Sequence, residues 1–247
     1  MARLVIDIGN TSVKIAVFDG PNLIEAGQLD TLDESLPQQL ITKYQITDGV
    51  FSSVNRQSEG WLGPLAEQIT LTRFERTMAG SLQNHYRTPQ TLGLDRLAGI
   101  LGARHLYPQS NNLVVDAGTC ITYDGVDAGA NYYGGSISPG LNMRYKALQY
   151  YTSALPLVTA DAGFNNFYGY DTATAIRSGV QNGVLYEVQG FIQNYIQEGI
   201  YPNIILTGGD SVFLDTVLKN SIFAGYIKTE PHLVLIGLNA AIQEHND

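Results

Sequence analysis

The chain has 247 residues, 44% of them hydrophobic and 15% charged, which suits one large domain or two small ones and lacks the bias of a disordered protein. Its formal charge of −9 argues against nucleic acid as a partner, because phosphate-backbone binding needs a basic face. A lone cysteine, Cys120, excludes an intramolecular disulfide. With no signal-like apolar core at the start and no run near the roughly 18 apolar residues of a membrane span, the reading is a cytoplasmic protein without a membrane partner.

In chain order, three strand-like runs come first, Arg3–Gly9, Ser12–Asp19 and Asn22–Gln28, with Thr11-Ser12 and Asp19–Pro21 marking the turns. Val13, Ile15 and Val17 alternate with Lys14, Ala16 and Phe18, the period of two of a half-buried strand. A helix over about Asp33–Tyr44, a strand Gly49–Val54, a helix over about Glu59–Ile69 and a strand near Leu71–Phe74 complete a βββαβαβ series. The second half repeats it. Strands Asn112–Ala117, Cys120–Asp124 and Tyr132–Ser138 precede a helical insert (about Leu141–Tyr151) and a long helical region (about Thr172–Glu198). Then come the strand Asn203–Thr207, a helix from Ser211, a strand near Phe223–Lys228 and a closing helix over about Leu233–Glu244. The expected domains are 1–110 and 111–247, the second carrying a helical insert near 140–170.

The letters repeat as well. Leu4-Val5-Ile6-Asp7-Ile8-Gly9-Asn10-Thr11 parallels Leu113-Val114-Val115-Asp116-Ala117-Gly118-Thr119: a buried strand delivers Asp, then Gly, then Thr into the next turn. One copy alone reads as an ordinary hairpin, since these are common turn residues. Two copies opening two βββαβαβ series point to a pair of turns gripping nucleotide phosphates, with bare backbone N–H groups, a Thr hydroxyl, and a carboxylate to hold Mg²⁺ directly or through water. The Walker and dinucleotide glycine patterns are absent. A third element, Ile204-Ile205-Leu206-Thr207-Gly208-Gly209-Asp210-Ser211, reads either as a strand-to-helix turn capped by Asp210 or Ser211, or as a flat seat for adenine on Gly208 and Gly209. Together these resemble the superfamily of actin, the Hsp70 ATPase domain and the sugar kinases. That implies an α/β fold of two ribonuclease H-like subdomains with the nucleotide in a cleft between them.

Between the halves lies Tyr86-Arg87-Thr88-Pro89-Gln90-Thr91-Leu92-Gly93-Leu94-Asp95-Arg96. Asp95-Arg96 fits a solvated ion pair in a first helical turn, with the following Ala and Gly residues serving helix packing. It equally fits a carboxylate that accepts a proton from a substrate hydroxyl, beside a cation that neutralises substrate or transferring group. The segment resembles the Y-x-x-P-x-x-L-G-x-D-R signature of type III pantothenate kinases. Five further segments match that family in order: Asp7–Lys14, Asp116–Thr119, Gly134–Gly140, Thr152–Pro156 and Asp171–Gly179.

The resemblance implies transfer of the ATP γ-phosphoryl to pantothenate, opening coenzyme A biosynthesis. Asp7, Gly9, Asn10, Thr11 and Lys14 would hold ATP, with Asp7 also at Mg²⁺, and Thr119, Gly208 and Gly209 would complete the ATP contacts. Tyr86, Gly93, Leu94, Asp95, Arg96 and Thr172 would contact pantothenate, with Asp95 as catalytic proton acceptor. Asp116 would bind a monovalent cation, potassium or ammonium, and the family favours a homodimer. Two positions depart from the family pattern: Asp171 stands where Asn is common, adding negative charge near an anionic substrate, and Cys120 where Ala is usual, read as a small buried residue. Lys14 also fits a solvent-facing strand position, and Arg144 and Lys146 a solvated helix face. The histidines His85, His105, His232 and His245 lack metal-ligand spacing and read as surface or helix positions. The tyrosine-rich stretch from Tyr123 to Tyr170 suits core, interface or pocket wall. The rivals are another small-molecule kinase of the superfamily and a non-catalytic nucleotide-binding regulator.

Overall fold

The computed structural model describes residues 2–29, 35–54, 56–197 and 202–246. The first series runs β1 (Ala2–Ile8), β2 (Val13–Asp19), β3 (Asn22–Leu29), α1 (Ser35–Tyr44), β4 (Asp48–Ser53), α2 (Gly63–Ala66) and β5 (Thr70–Arg73). After β6 (Gln83–Asn84) and α3 (Leu94–Leu106) the second series follows: β7 (Asn112–Ala117), β8 (Cys120–Val126), β9 (Asn131–Pro139), α4 (Leu141–Tyr151), α5 (Thr172–Arg177), α6 (Gly183–Gln197), β10 (Asn203–Thr207), α7 (Ser211–Leu218), β11 (Ile227–Thr229) and α8 (Leu233–Asn246). One sheet has the order β3-β2-β1-β4-β5 and the other β11-β10-β7-β8-β9-β6. Numbered within its own series, each sheet therefore reads third, second, first, fourth, fifth, and the second adds β6 beside its third strand. The duplication seen in the letters is a duplication of topology.

The chain divides into two compact units, residues 1–109, 126–134 and 232–247 in one, 110–125 and 135–231 in the other. The 126–134 segment and α8 thus belong with the first unit, whereas the sequence reading grouped them with 111–247. In the first unit α8 packs on α3 and against β1, β2 and β4. The helices meet backbone to backbone: a Cβ on Gly102 would collide with the Leu233 carbonyl, and one on Gly237 with that of Ala98. The small residues after Asp95-Arg96 serve this close crossing. The same cover explains β2, where Ala16 and Phe18 are as buried as Ile15 and Val17. A half-buried strand was expected there, but α8 supplies a second roof. The opposite face builds a core from Leu4, Ile6, Ile8, Ile15 and Val17 with Leu40, Trp61 and Leu65.

Other boundaries move for local reasons. The helix expected over Glu59–Ile69 is a 3-10 turn at Arg56–Leu62 followed by the single turn of α2, since Gly63 and Pro64 force a fresh start. The strand expected from Phe223 begins only at Ile227, after a 3-10 turn at Ala224–Tyr226. The long helical region is broken by a π turn, Ser178–Asn182, between α5 and α6. Asp33 and Glu198, expected as helix ends, lie outside the described residues. Among the described residues no helix is long and apolar enough to cross a membrane.

Candidate active site

In the first unit, β1 and β2 are joined by the turn Gly9–Ser12, closed by Gly9 N–H donating to the Ser12 carbonyl at 3.1 Å. Asn10 and Thr11 are exposed at its tip. Asp7 is opposite Lys14 on β2 and opposite Ser52 on β4. Directly opposed residues share a sheet face, so a carboxylate, an ammonium and a hydroxyl line up below the turn. Asp7 is buried and Lys14 half-buried.

The second unit repeats the arrangement. Asp116 is the residue before the last of β7, half-buried and in register with Thr207 of β10. The β7–β8 turn is tighter, with Gly118 N–H donating to the Cys120 carbonyl at 2.9 Å and Thr119 exposed. Gly208 follows Thr207 with φ +87°, and a Cβ there would strike both the Ala117 carbonyl and Asp116 Oδ1. Only glycine fits, and its bare backbone lies against two oxygens. Gly209 is exposed and open. Asp210 occupies the N-cap position of α7 without a side-chain capping bond, and burial raises its carboxyl above the usual range. Its N–H instead donates to the Ala117 carbonyl at 2.8 Å, tying this turn to β7.

The segment before α3 forms a second cluster within the first unit. Gly93 is the N-cap of α3, so no side chain caps the helix. Asp95 folds back over Gly93, and its Oδ1 accepts the Arg96 N–H at 2.8 Å. Arg96 is buried, donates from Nη2 to the Tyr132 hydroxyl at 3.2 Å, and lies 5.7 Å from the Tyr86 ring centroid. Tyr86 and Tyr132 stack with centroids 6.3 Å apart. Tyr86, Gly93, Leu94, Asp95 and Arg96, read as a group from sequence, are thus brought together. Tyr132 is an addition with no sequence signal, because β6 pairs in parallel with β9 for only two residues.

Thr172 opens α5, exposed, on a separate element of the second unit. Its neighbour Asp171 is the N-cap: Asp171 Oδ1 accepts the Thr174 N–H at 2.8 Å and the Thr174 hydroxyl at 2.8 Å. The Thr174 amide, then its hydroxyl, hold the Asp171 carboxyl below its ordinary range. The charge that departs from the family pattern is engaged at the helix start. Cys120 is half-buried rather than buried. Arg144 is not solvated as expected: it donates to the Pro139 carbonyl, the Ser138 hydroxyl and Glu187 Oε2, the last at 2.6 Å. The tyrosines divide, with Tyr123, Tyr132 and Tyr145 fully buried and Tyr133, Tyr150, Tyr151, Tyr168 and Tyr170 exposed. His85 stacks on Tyr133 at the surface.

Two copies of one five-strand unit, each carrying an Asp next to the end of its first strand before a glycine turn, define the actin-like class of nucleotide-binding folds. The solved activator of the 2-hydroxyisocaproyl-CoA dehydratase from Clostridium difficile with bound ADPNP shares it, with a TM-score of 0.62 at 11% identity, covering 100% of this chain and 96% of that one. The family is narrower. The model described as type III pantothenate kinase matches residues 3–194. Relatives named type III pantothenate kinase include those of Phocaeicola vulgatus, 43% identical over 99% of both chains. Another is that of Flavobacterium johnsoniae, 42% identical over 90% of this chain and 91% of its own. The chain belongs to the type III pantothenate kinase family.

Proposed function

We propose that this protein transfers the γ-phosphoryl group of ATP to the 4′-hydroxyl of pantothenate, with Asp95 as proton acceptor. The observation that carries the residue assignment is the cluster at the start of α3. There a half-buried carboxylate is fixed over Gly93 beside a buried arginine aimed by two tyrosines. Such a carboxylate orients and deprotonates an attacking hydroxyl, and the arginine neutralises the anionic acceptor or the transferring group. Thr172 contributes a hydroxyl to pantothenate. Asp7, Gly9, Asn10, Thr11 and Lys14 of the first unit take phosphates, and in the second unit Thr119 contributes to the phosphates while Gly208 and Gly209 seat the adenine.

Among the described residues no group of three or more His, Cys, Asp or Glu is set to hold a metal. Mg²⁺ keeps most of its waters and needs only one or two carboxylates besides substrate phosphates; Asp7 is the carboxylate this reading gives it. When bound, Mg²⁺ supplies charge neutralisation for the transferring phosphoryl. Asp116 Oδ1 and the Ala117 carbonyl converge on bare backbone at Gly208, an all-oxygen setting that suits a monovalent cation, potassium or ammonium. Work in the cytoplasm and as a homodimer belongs to the same reading, the exposed Tyr150, Tyr151, Phe167, Tyr168 and Tyr170 supporting an interface.

The test is ADP release with ATP, Mg²⁺ and pantothenate, in potassium and in sodium. Pantothenate-dependent release that is stronger in potassium is expected. A folded, ATP-binding protein that releases none in either salt would overturn the reading.

A further inference from the structure

We infer that Arg76 is a positioning residue for Asp95, an inference that rests on the kinase reading above. The start of α3 has an unusual difficulty. Its N-cap is Gly93, which offers no side-chain oxygen, and the first turn is held from within by Asp95 Oδ1 on the Arg96 N–H, the same carboxylate whose place has to be set. Leu92 and Gly93 run in extended conformation into the helix, with φ near −60° and ψ near +130° at both. The peptide joining them is held from outside. Arg76 donates to the Leu92 carbonyl from both Nε, at 3.1 Å, and Nη2, at 2.7 Å. The Leu92 side chain is wholly buried. One end of the residue is therefore set in the core and the other gripped by a charged, planar fork.

The fork is itself on a firm base. Arg76 opens a one-turn 3-10 helix, Arg76–Met78, just after β5. Phe74 is fully buried and its N–H donates to the Phe51 carbonyl at 2.8 Å, while Met78 is buried on the other side. Arg76 itself is an exposed residue, free to leave its guanidinium in water. Ordering so flexible a chain onto a neutral carbonyl costs rotamer entropy, and a lysine could present a charge there but not two N–H groups in a fixed plane. What the fork fixes is the orientation of the Leu92–Gly93 peptide. Two residues later comes Asp95, whose carboxylate lies against Gly93. A tilt of that peptide moves the carboxylate with it, and small misplacements of a catalytic group lower turnover steeply.

The experiment compares wild type, Arg76→Ala and Arg76→Lys. With Arg76→Ala, kcat for pantothenate phosphorylation should fall at least tenfold while the KM for ATP stays within twofold. Arg76→Lys should lie between, and added guanidinium ion at low millimolar concentration should restore part of the Arg76→Ala rate. Hydrogen exchange in Arg76→Ala should speed up at the amides of 93–97 and stay unchanged in β1 and α8. Unaltered kcat and unaltered exchange at 93–97 would overturn the inference, and so would loosened exchange throughout the first unit, which marks a merely structural arginine. If wild type itself turns over no pantothenate, the kinase reading fails, and the exchange data alone decide whether Arg76 holds the start of α3.

Discussion

The Arg96 guanidinium donates from Nη2 to the Tyr132 hydroxyl at 3.2 Å, so the charge beside Asp95 is aimed by a strand residue 36 positions away. Both side chains are buried, and Tyr86 packs over the pair. Tyr132→Phe keeps the ring and removes the acceptor. A hydrogen bond to a charged group is worth about 1.5 to 3 kcal/mol, so unfolding stability should drop by an amount in that range. The pantothenate KM should rise about tenfold or more, the factor matching the lower figure. Urea unfolding and steady-state kinetics on the same variant check both. A KM equal to wild type would show that Arg96 is aimed without Tyr132.

Gly134 sits at φ +121°, where L side chains are rarely found, and a Cβ there would stand 3.1 and 3.2 Å from two carbons of the Tyr86 ring. Gly134→Ala therefore meets backbone strain and crowding together. Strained positions of this kind cost about 1 to 3 kcal/mol each, so a loss of that order is expected in urea unfolding. Because Tyr86 must give way, pantothenate KM should rise while ATP KM holds. A variant as stable and as active as wild type would show that the ring yields freely.

Much of this fold was legible because its signals are local. The apolar runs Leu4–Ile8 and Leu113–Ala117, each followed by a glycine turn, marked the two central strands, and the sheet order grew around them. The Gly93–Arg96 group was legible for the same reason, being contiguous. What stayed hidden depends on distant packing. Nothing in α8 announces that it roofs β2, and nothing near Arg76 points to the Leu92 carbonyl. Asp171 is a different case. Its capping signal was present in sequence, an Asp three residues before Thr174 at a helix start, but comparison with the family pattern drew the reading toward substrate charge instead.

That capping role carries a pH signature. Hydrogen bonds from Thr174 hold the folded Asp171 carboxyl below its ordinary value. The stabilisation is therefore fully present above the ordinary carboxylate pKa and is lost as pH falls through the lower, folded value. Asp171→Asn keeps an oxygen for the Thr174 amide but no longer titrates, so it should flatten the acid side of the stability profile while changing little at neutral pH. Asp171→Ala should lose stability at neutral pH as well. Thermal unfolding of the three proteins between pH 3 and 7 distinguishes these outcomes; an acid limb unchanged in Asp171→Asn would assign it to other carboxylates.

Asp95→Asn isolates the proposed chemistry from the architecture. The amide oxygen can still accept the Arg96 N–H that Asp95 Oδ1 accepts at 2.8 Å, and the side chain still fits over Gly93. Folding, thermal stability and ATP affinity should therefore match wild type. Proton acceptance is lost, however, and general-base catalysis contributes on the order of 10² to 10⁴ in rate, so kcat should fall by that factor. Asp95→Ala makes a useful contrast, since it removes the oxygen that helps start α3 and should lose stability along with turnover. ADP release under single-turnover conditions, read beside calorimetry, separates the two effects. If Asp95→Asn turns over pantothenate at the wild-type rate, the proton leaves by another route, and the carboxylate at the start of α3 serves only to shape the helix.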